Sequence, residues 1–127
     1  MSESNEQQAV VEWYRLQYPK QAKRLIAIPN GQWIAGQGKR KFALINKYKA
    51  EGWLNGVSDL LLAWPISPYS GLWLEMKDRG KTKSSLSTEQ REWLSEMREA
   101  GYRAEWAAGF EEAKKIIEEY LQACQLT

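Results

Sequence analysis

The stretch GVSDLLLAWPISPYSGLWLEMK, residues 56–77, decides the fold. It holds two apolar runs separated by a turn at 68–71, PYSG. Residues 60–63, LLLA, run without alternation, as in a strand buried on both faces. Residues 72–77, LWLEMK, alternate, and residues two apart in an extended chain share a face. Trp73, Glu75 and Lys77 therefore project to one side, and Leu72, Leu74 and Met76 to the other. The link between the runs is too short for a crossover helix, so they pair as a hairpin. Three charges stand where a plain core strand carries none: Asp59, Glu75 and Lys77. Burying an acid and a base on a sheet face is costly unless something pairs with them.

If the two runs are neighbours, Asp59 and Glu75 approach each other. Two carboxylates repel, and a divalent cation between them relieves the repulsion. Their hard oxygens suit Mg²⁺ or Mn²⁺, and the backbone carbonyl of Met76 offers a further oxygen. Such an ion lowers the pKa of its water and stabilises charge growing on a phosphoryl oxygen. Lys77 can orient the attacking water or hold charge on the scissile phosphate. The set suits phosphodiester hydrolysis. An aspartate, a long gap and then Glu-x-Lys is nonetheless common by chance. The bland alternative is a Glu75–Lys77 ion pair on an edge strand, with Asp59 in a turn.

The rest of the composition narrows the chemistry. The chain has 127 residues, enough for a single domain, 1–127, with a real core, and a net charge of only +2. Any nucleic-acid footprint must therefore be local. No apolar run is long enough to span a bilayer, and the N-terminus, MSESNEQQ, lacks a signal-peptide pattern. One cysteine, Cys124, excludes an internal disulfide and a cysteine-rich zinc site. These features predict a reduced, cytoplasmic protein. There is no histidine, which removes triad hydrolysis, Cys-His proteolysis and HExxH zinc chemistry. Carboxylates, lysine and hard metal remain.

Taken in order, residues 1–5 are expected to fray. Ser4 and Gln7 have capping-box spacing, so a helix starts there and ends before Pro19. Glu6 lies in its first turn, where the dipole favours a carboxylate; a role at the site is the other reading. Residues 25–28 read as a strand stopped by Pro29-Asn30-Gly31. Residues 31–38 carry three glycines and read as a loop, with Trp33 and Ile34 either folded back on the core or facing a partner. Residues 39–51 read as a helix with Phe42, Ala43 and Ile45 in its apolar pattern and Gly52 as its stop. Lys39, Arg40 and Lys41 crowd its start, either as a phosphate site or as a solvated basic cluster. Lys47 and Lys49 extend the positive surface. Residues 78–85, DRGKTKSS, form a basic loop with Arg79, Lys81 and Lys83. Ser87 and Gln90 make a second capping box, opening a helix that ends at Gly101. A strand at 102–107 and an amphipathic helix at 110–122 close the chain. The order is helix, strand, helix, strand, strand, helix, strand, helix, which predicts one α/β domain with a mixed sheet between helices.

In this order and spacing the chain resembles the VRR-NUC domain, the virus-type replication-repair nuclease branch of the PD-(D/E)xK superfamily. The matching residues are Glu6, Ile28-Pro29-Asn30-Gly31, Gly52, Gly56-Val57-Ser58-Asp59-Leu60, Leu74-Glu75-Met76-Lys77, Leu86-Ser87 with Gln90, and Gly101-Tyr102. They span nearly the whole chain. Ser58 departs from the family, which usually has proline before the aspartate; that proline shapes the turn and is not a ligand. The resemblance implies a restriction-endonuclease-like α/β fold. It implies Asp59 and Glu75 as metal ligands, with Met76 contributing its carbonyl, and Lys77 as the catalytic lysine. Glu6 becomes a further acid near the metal and Gln90 a site residue beside its capping role. Asn30, Lys39, Arg40, Lys41, Lys47, Arg79, Lys81 and Lys83 are expected to hold DNA. Family members cut branched or flapped DNA. A chain of this length resembles the stand-alone viral and bacterial forms, which are similar to dimeric Holliday-junction resolvases. The expectation is thus a Mg²⁺- or Mn²⁺-dependent endonuclease of four-way junctions, acting as a homodimer in a bacterial or phage-encoded context. The alternatives are a flap or nicking nuclease without junction preference and a non-catalytic DNA-binding module.

Overall fold

The computed structural model describes residues 2–29 and 38–125. Asn30 and almost all of the predicted 31–38 loop, with Trp33 and Ile34, lie outside the described residues. Helix α1 spans Glu3–Gln17, and the hydroxyl of Ser2 caps it by accepting from the Asn5 N–H at 3.2 Å. The helix thus begins inside the segment expected to fray, ahead of the predicted Ser4 start. Ser4 instead accepts from the Gln8 amide within the helix. A 3₁₀ segment, Pro19–Arg24, leads into strand β1, Leu25–Ala27. A second 3₁₀ turn, Gly38–Arg40, precedes helix α2, Lys41–Ala50.

Strands β2, Leu60–Leu62, and β3, Leu72–Lys77, come from the opening stretch. They pair antiparallel, with Leu60 opposite Leu74 and Leu62 opposite Leu72. Helix α3, Thr88–Glu99, opens on the predicted box: Ser87 Oγ accepts from the Gln90 N–H, and the Gln90 side chain accepts from the Ser87 N–H. Strand β4, Arg103–Ala108, then lies parallel to β3, and helix α4, Phe110–Gln125, follows it. The sheet order is β1-β2-β3-β4, mixed, with β1 antiparallel to β2. The order of helices and strands is the one expected from periodicity.

The alternation of β3 sorts the core. Leu72, Leu74 and Met76 pack with Val10 and Tyr14 of α1 and with Ala113, Ile117 and Tyr120 of α4. Trp73 packs on the other face with Leu86, Leu94 and Ala104. Helices therefore cover both faces of the sheet, as its apolar residues require. Helix α2 differs from its predicted apolar pattern. None of its residues is buried, and Phe42 is 77% exposed.

Gly56 holds the entry to β2 against the start of α3. Its φ is +95°, a region that costs side-chain-bearing residues free energy, and a Cβ there would lie 2.6 Å from the Glu89 backbone. Gly56→Ala is expected to cost more than ~1 kcal/mol, read as a lowered thermal midpoint, because it combines strain with a backbone clash. An unchanged midpoint would show that this close approach is not obligatory.

Candidate active site

The site forms where the sheet is incomplete. Strand β2 pairs with β3 only as far as Leu74, so Glu75, Met76 and Lys77 run past its end. The Met76 N–H finds no ladder partner on β2. It donates instead to Asp59 Oδ2 at 2.7 Å, across the entry to β2. Asp59 is further tied to the sheet through its carbonyl, which accepts from the Ile28 N–H at 2.8 Å. These bonds bring the two carboxylates together. Glu75 is hydrogen-bonded to the Asp59 carboxyl through one oxygen, while its Oε1 is buried with no partner.

Burial raises the pKa of Glu75 to about 10; the hydrogen bond to Asp59 and the charge of Asp59 add to the rise, and Lys77 opposes it. Without a cation, Glu75 therefore keeps its proton at neutral pH. The notch opens into a cavity of about 570 Å³. Asp59, Glu75, Lys77 and Gln90 all line it, so the structure gathers four of the residues singled out from sequence. Gln90 spends its carbonyl oxygen on the helix cap and has its amide nitrogen left for the cavity.

Glu6 goes elsewhere. It is fully buried, accepts from the Arg79 guanidinium at 3.0 Å and from the Phe110 N–H at the start of α4, and does not line the cavity. It ties α1 to the loop after β3 and to α4. The reason is periodic: Glu6, Val10 and Tyr14 are four residues apart and form the buried stripe of α1. The carboxylates that α1 does present to the cavity are Glu3 and Glu12, with Gln7 one turn on from Glu3. Burial raises the pKa of Glu3, Lys77 lowers it, and Asp59 raises it further. Sequence reading missed Glu3, although its offset from the Glu6 stripe was available to find it. Of the residues expected on DNA, Arg79 is committed to Glu6 while remaining 64% exposed. Arg40, Lys41, Lys47, Lys81 and Lys83 are exposed outside the acidic cavity.

A divalent cation fits this donor set. One buried carboxyl oxygen lacks a partner and its neighbours are hard oxygens. Among the described residues no group of three or more acidic or thiol side chains closes into a cage.

The family that the chain matches is one of nucleases of the PD-(D/E)xK type. The VRR-NUC domain model matches residues 1–111, and the chain belongs to that family. A solved structure named a VRR_NUC domain protein is similar in fold, with a TM-score of 0.79 and 22% identity over 97% of this chain and 90% of that one. No curated protein matches the chain in sequence. The family implies a divalent metal cofactor and a DNA substrate. Among the described residues, no helix is long and apolar enough to cross a membrane.

Two outcomes follow. The sign for Glu75 is set by a native pKa raised from 4.5 to about 10. Between those values the native state binds more protons than the unfolded one, so its contribution to stability falls as pH rises. Metal-free Glu75→Gln is therefore expected to be more stable than the parent at pH 8, by at least ~1 kcal/mol, with the gap closing toward pH 4.5. Thermal melts in chelator across that window measure it; parallel pH profiles would refute it. Separately, Glu6→Ala is expected to cost roughly 2–3 kcal/mol by stranding the Phe110 N–H and Arg79, whereas Glu3→Ala stays within about 1 kcal/mol. Denaturant unfolding of both variants tells the two acids apart.

Proposed function

We propose that this chain is a Mg²⁺- or Mn²⁺-dependent endodeoxyribonuclease that cuts branched DNA, with the four-way junction as its substrate. The observation that carries the reading is the Asp59–Glu75 pair in the notch beside β3, with an unpartnered buried oxygen and Lys77 on the same sheet face. Asp59 and Glu75 would hold the ion, and the Met76 carbonyl would add an oxygen. The bound ion supplies charge stabilisation at the phosphoryl oxygens and a more acidic water. Glu75 must lose its proton to bind, so occupancy rises with pH. Lys77 places its side-chain amine at the cavity wall, where it would orient a water or meet charge on the phosphate. Gln90 offers its amide to the same space.

A purely DNA-binding module has no use for this arrangement, since the buried Glu75 lowers stability at neutral pH and serves no packing role that glutamine would not fill. The homodimer belongs to the same reading, because two copies supply two sites for two opposed strands. So does action in the cytoplasm, where DNA and reduced thiols are found.

Purified protein is to be incubated with a four-way junction, a flap and a linear duplex, with Mg²⁺, Mn²⁺ or chelator. Cleavage of the branched substrates is expected only with metal, and Asp59→Ala or Lys77→Ala is expected to lower it at least ~100-fold. Undiminished cutting by Asp59→Ala would refute the site. Equal cutting of flap and junction would replace the junction reading with a flap or nicking activity. Sedimentation at micromolar concentration is expected to give a dimer.

A further inference from the structure

The active-site cavity is a poor place to bind a polyanion. Its lining carries Glu3, Glu12, Asp59 and Glu75 against only Arg15 and Lys77. A DNA strand that brings a phosphate to this notch must be held by cations outside it. The structure places such a group one strand away. Trp106 of β4 is the register partner of Glu75, and partners in a parallel pair project to the same face of the sheet. Trp106 also walls a second cavity of about 300 Å³, whose cations are Lys83, Arg91 and Arg98.

All three residues are exposed, and two of them, Arg91 and Arg98, are oriented by hydrogen bonds. Arg91 and Arg98 lie seven residues apart on α3, with Leu94 between them at three and four, so all three share one face of the helix. Leu86 and Leu94 form an apolar floor. Arg98 donates through Nε and Nη2 to the Ala104 carbonyl at 3.0 and 2.7 Å. Arg91 donates through Nη2 to the Lys83 carbonyl at 3.2 Å. Both guanidiniums are thus oriented by neutral carbonyl oxygens. Among the described residues no carboxylate lies within ion-pair distance of Lys83, Arg91 or Arg98. Glu105, at the rim, is paired with Arg103 at 3.4 Å. Oriented guanidiniums with full charge and spare N–H donors suit phosphate oxygens. The aromatic face of Trp106 suits an adjoining sugar or base. Gln90, in the active-site cavity, and Arg91, in this one, are consecutive residues in the first turn of α3, so the two cavities flank the start of one helix.

We propose that the Lys83–Arg91–Arg98 cavity, walled by Trp106, seats the phosphodiester backbone of the DNA strand beside the bond that is cut. The proposal rests on the nuclease reading for its location and is tested without cleavage. Binding of a fluorescently labelled four-way junction is to be followed by anisotropy in chelator over a range of salt concentrations. The triple variant Lys83→Gln, Arg91→Gln, Arg98→Gln is expected to bind more weakly at every salt concentration. Its plot of log affinity against log salt is expected to be shallower by about 2.7, since each of the three lost phosphate contacts removes roughly 0.9. The charge-conserving pair Arg91→Lys, Arg98→Lys is expected to keep most of the slope, and melting temperatures of all variants are recorded. An unchanged slope in the glutamine variant overturns the proposal and leaves the cavity to a protein partner. A lysine variant that loses as much slope as the glutamine variant overturns it too, because the arginines then act only as props for β4. Binding in chelator is read without cleavage, so failure of the nuclease reading, seen as undiminished cutting by Asp59→Ala, and failure of this seat are separate results.

Discussion

The hydrogen bond from the Met76 N–H to Asp59 is the constraint on which the site depends. A three-residue β2 leaves the next N–H of β3 without a strand partner, and an unpaired buried N–H is expensive. The Asp59 carboxylate pairs it. That single bond completes the sheet and places one acid against the other. The same bond makes β3 run out into an open notch. A longer β2 would have satisfied the backbone and filled the notch. Gly56 belongs to the same constraint, since its left-handed turn aims the chain at this point while passing close to Glu89.

Electrostatics then divides the molecule. The notch concentrates acid and raises the pKa of Glu75, chiefly through burial. The cations are segregated from it. Some are exposed on the 3₁₀ turn before α2 and on α2 itself, and others are oriented on carbonyl oxygens beside β4. A net charge of +2 conceals this separation. Attraction of metal and attraction of DNA need opposite potentials, and a small domain serves both by placing them on neighbouring surfaces.

The Glu6 contacts show how similar residues take different work. Glu3 and Glu6 lie three apart on one helix, yet one faces the cavity and the other is sealed between Arg79 and the start of α4. Burial of Glu6 is repaid by two hydrogen bonds and by the positive end of a helix dipole. Glu75 has a poorer set of partners, with its Oε1 buried and unbonded.

Much was legible in the sequence for a physical reason. The two-residue alternation of 72–77 and the capping pair Ser87–Gln90 are local, so the face of Glu75 and Lys77 and the start of α3 follow from sequence order alone. The hairpin followed from a link too short for anything else. Absence of histidine and the spacing of Asp59 from Glu75 and Lys77 pointed to metal-assisted hydrolysis. What only the tertiary structure decided are the matters of distance between remote segments. Whether Glu3 or Glu6 meets the notch depends on the rotation of α1 about its axis, which packing against β3 and α4 sets. That Arg91 and Arg98 converge beside Trp106 depends on the parallel pairing of β4 with β3. Local propensity decides which element a residue belongs to, and packing decides which other elements its side chain meets.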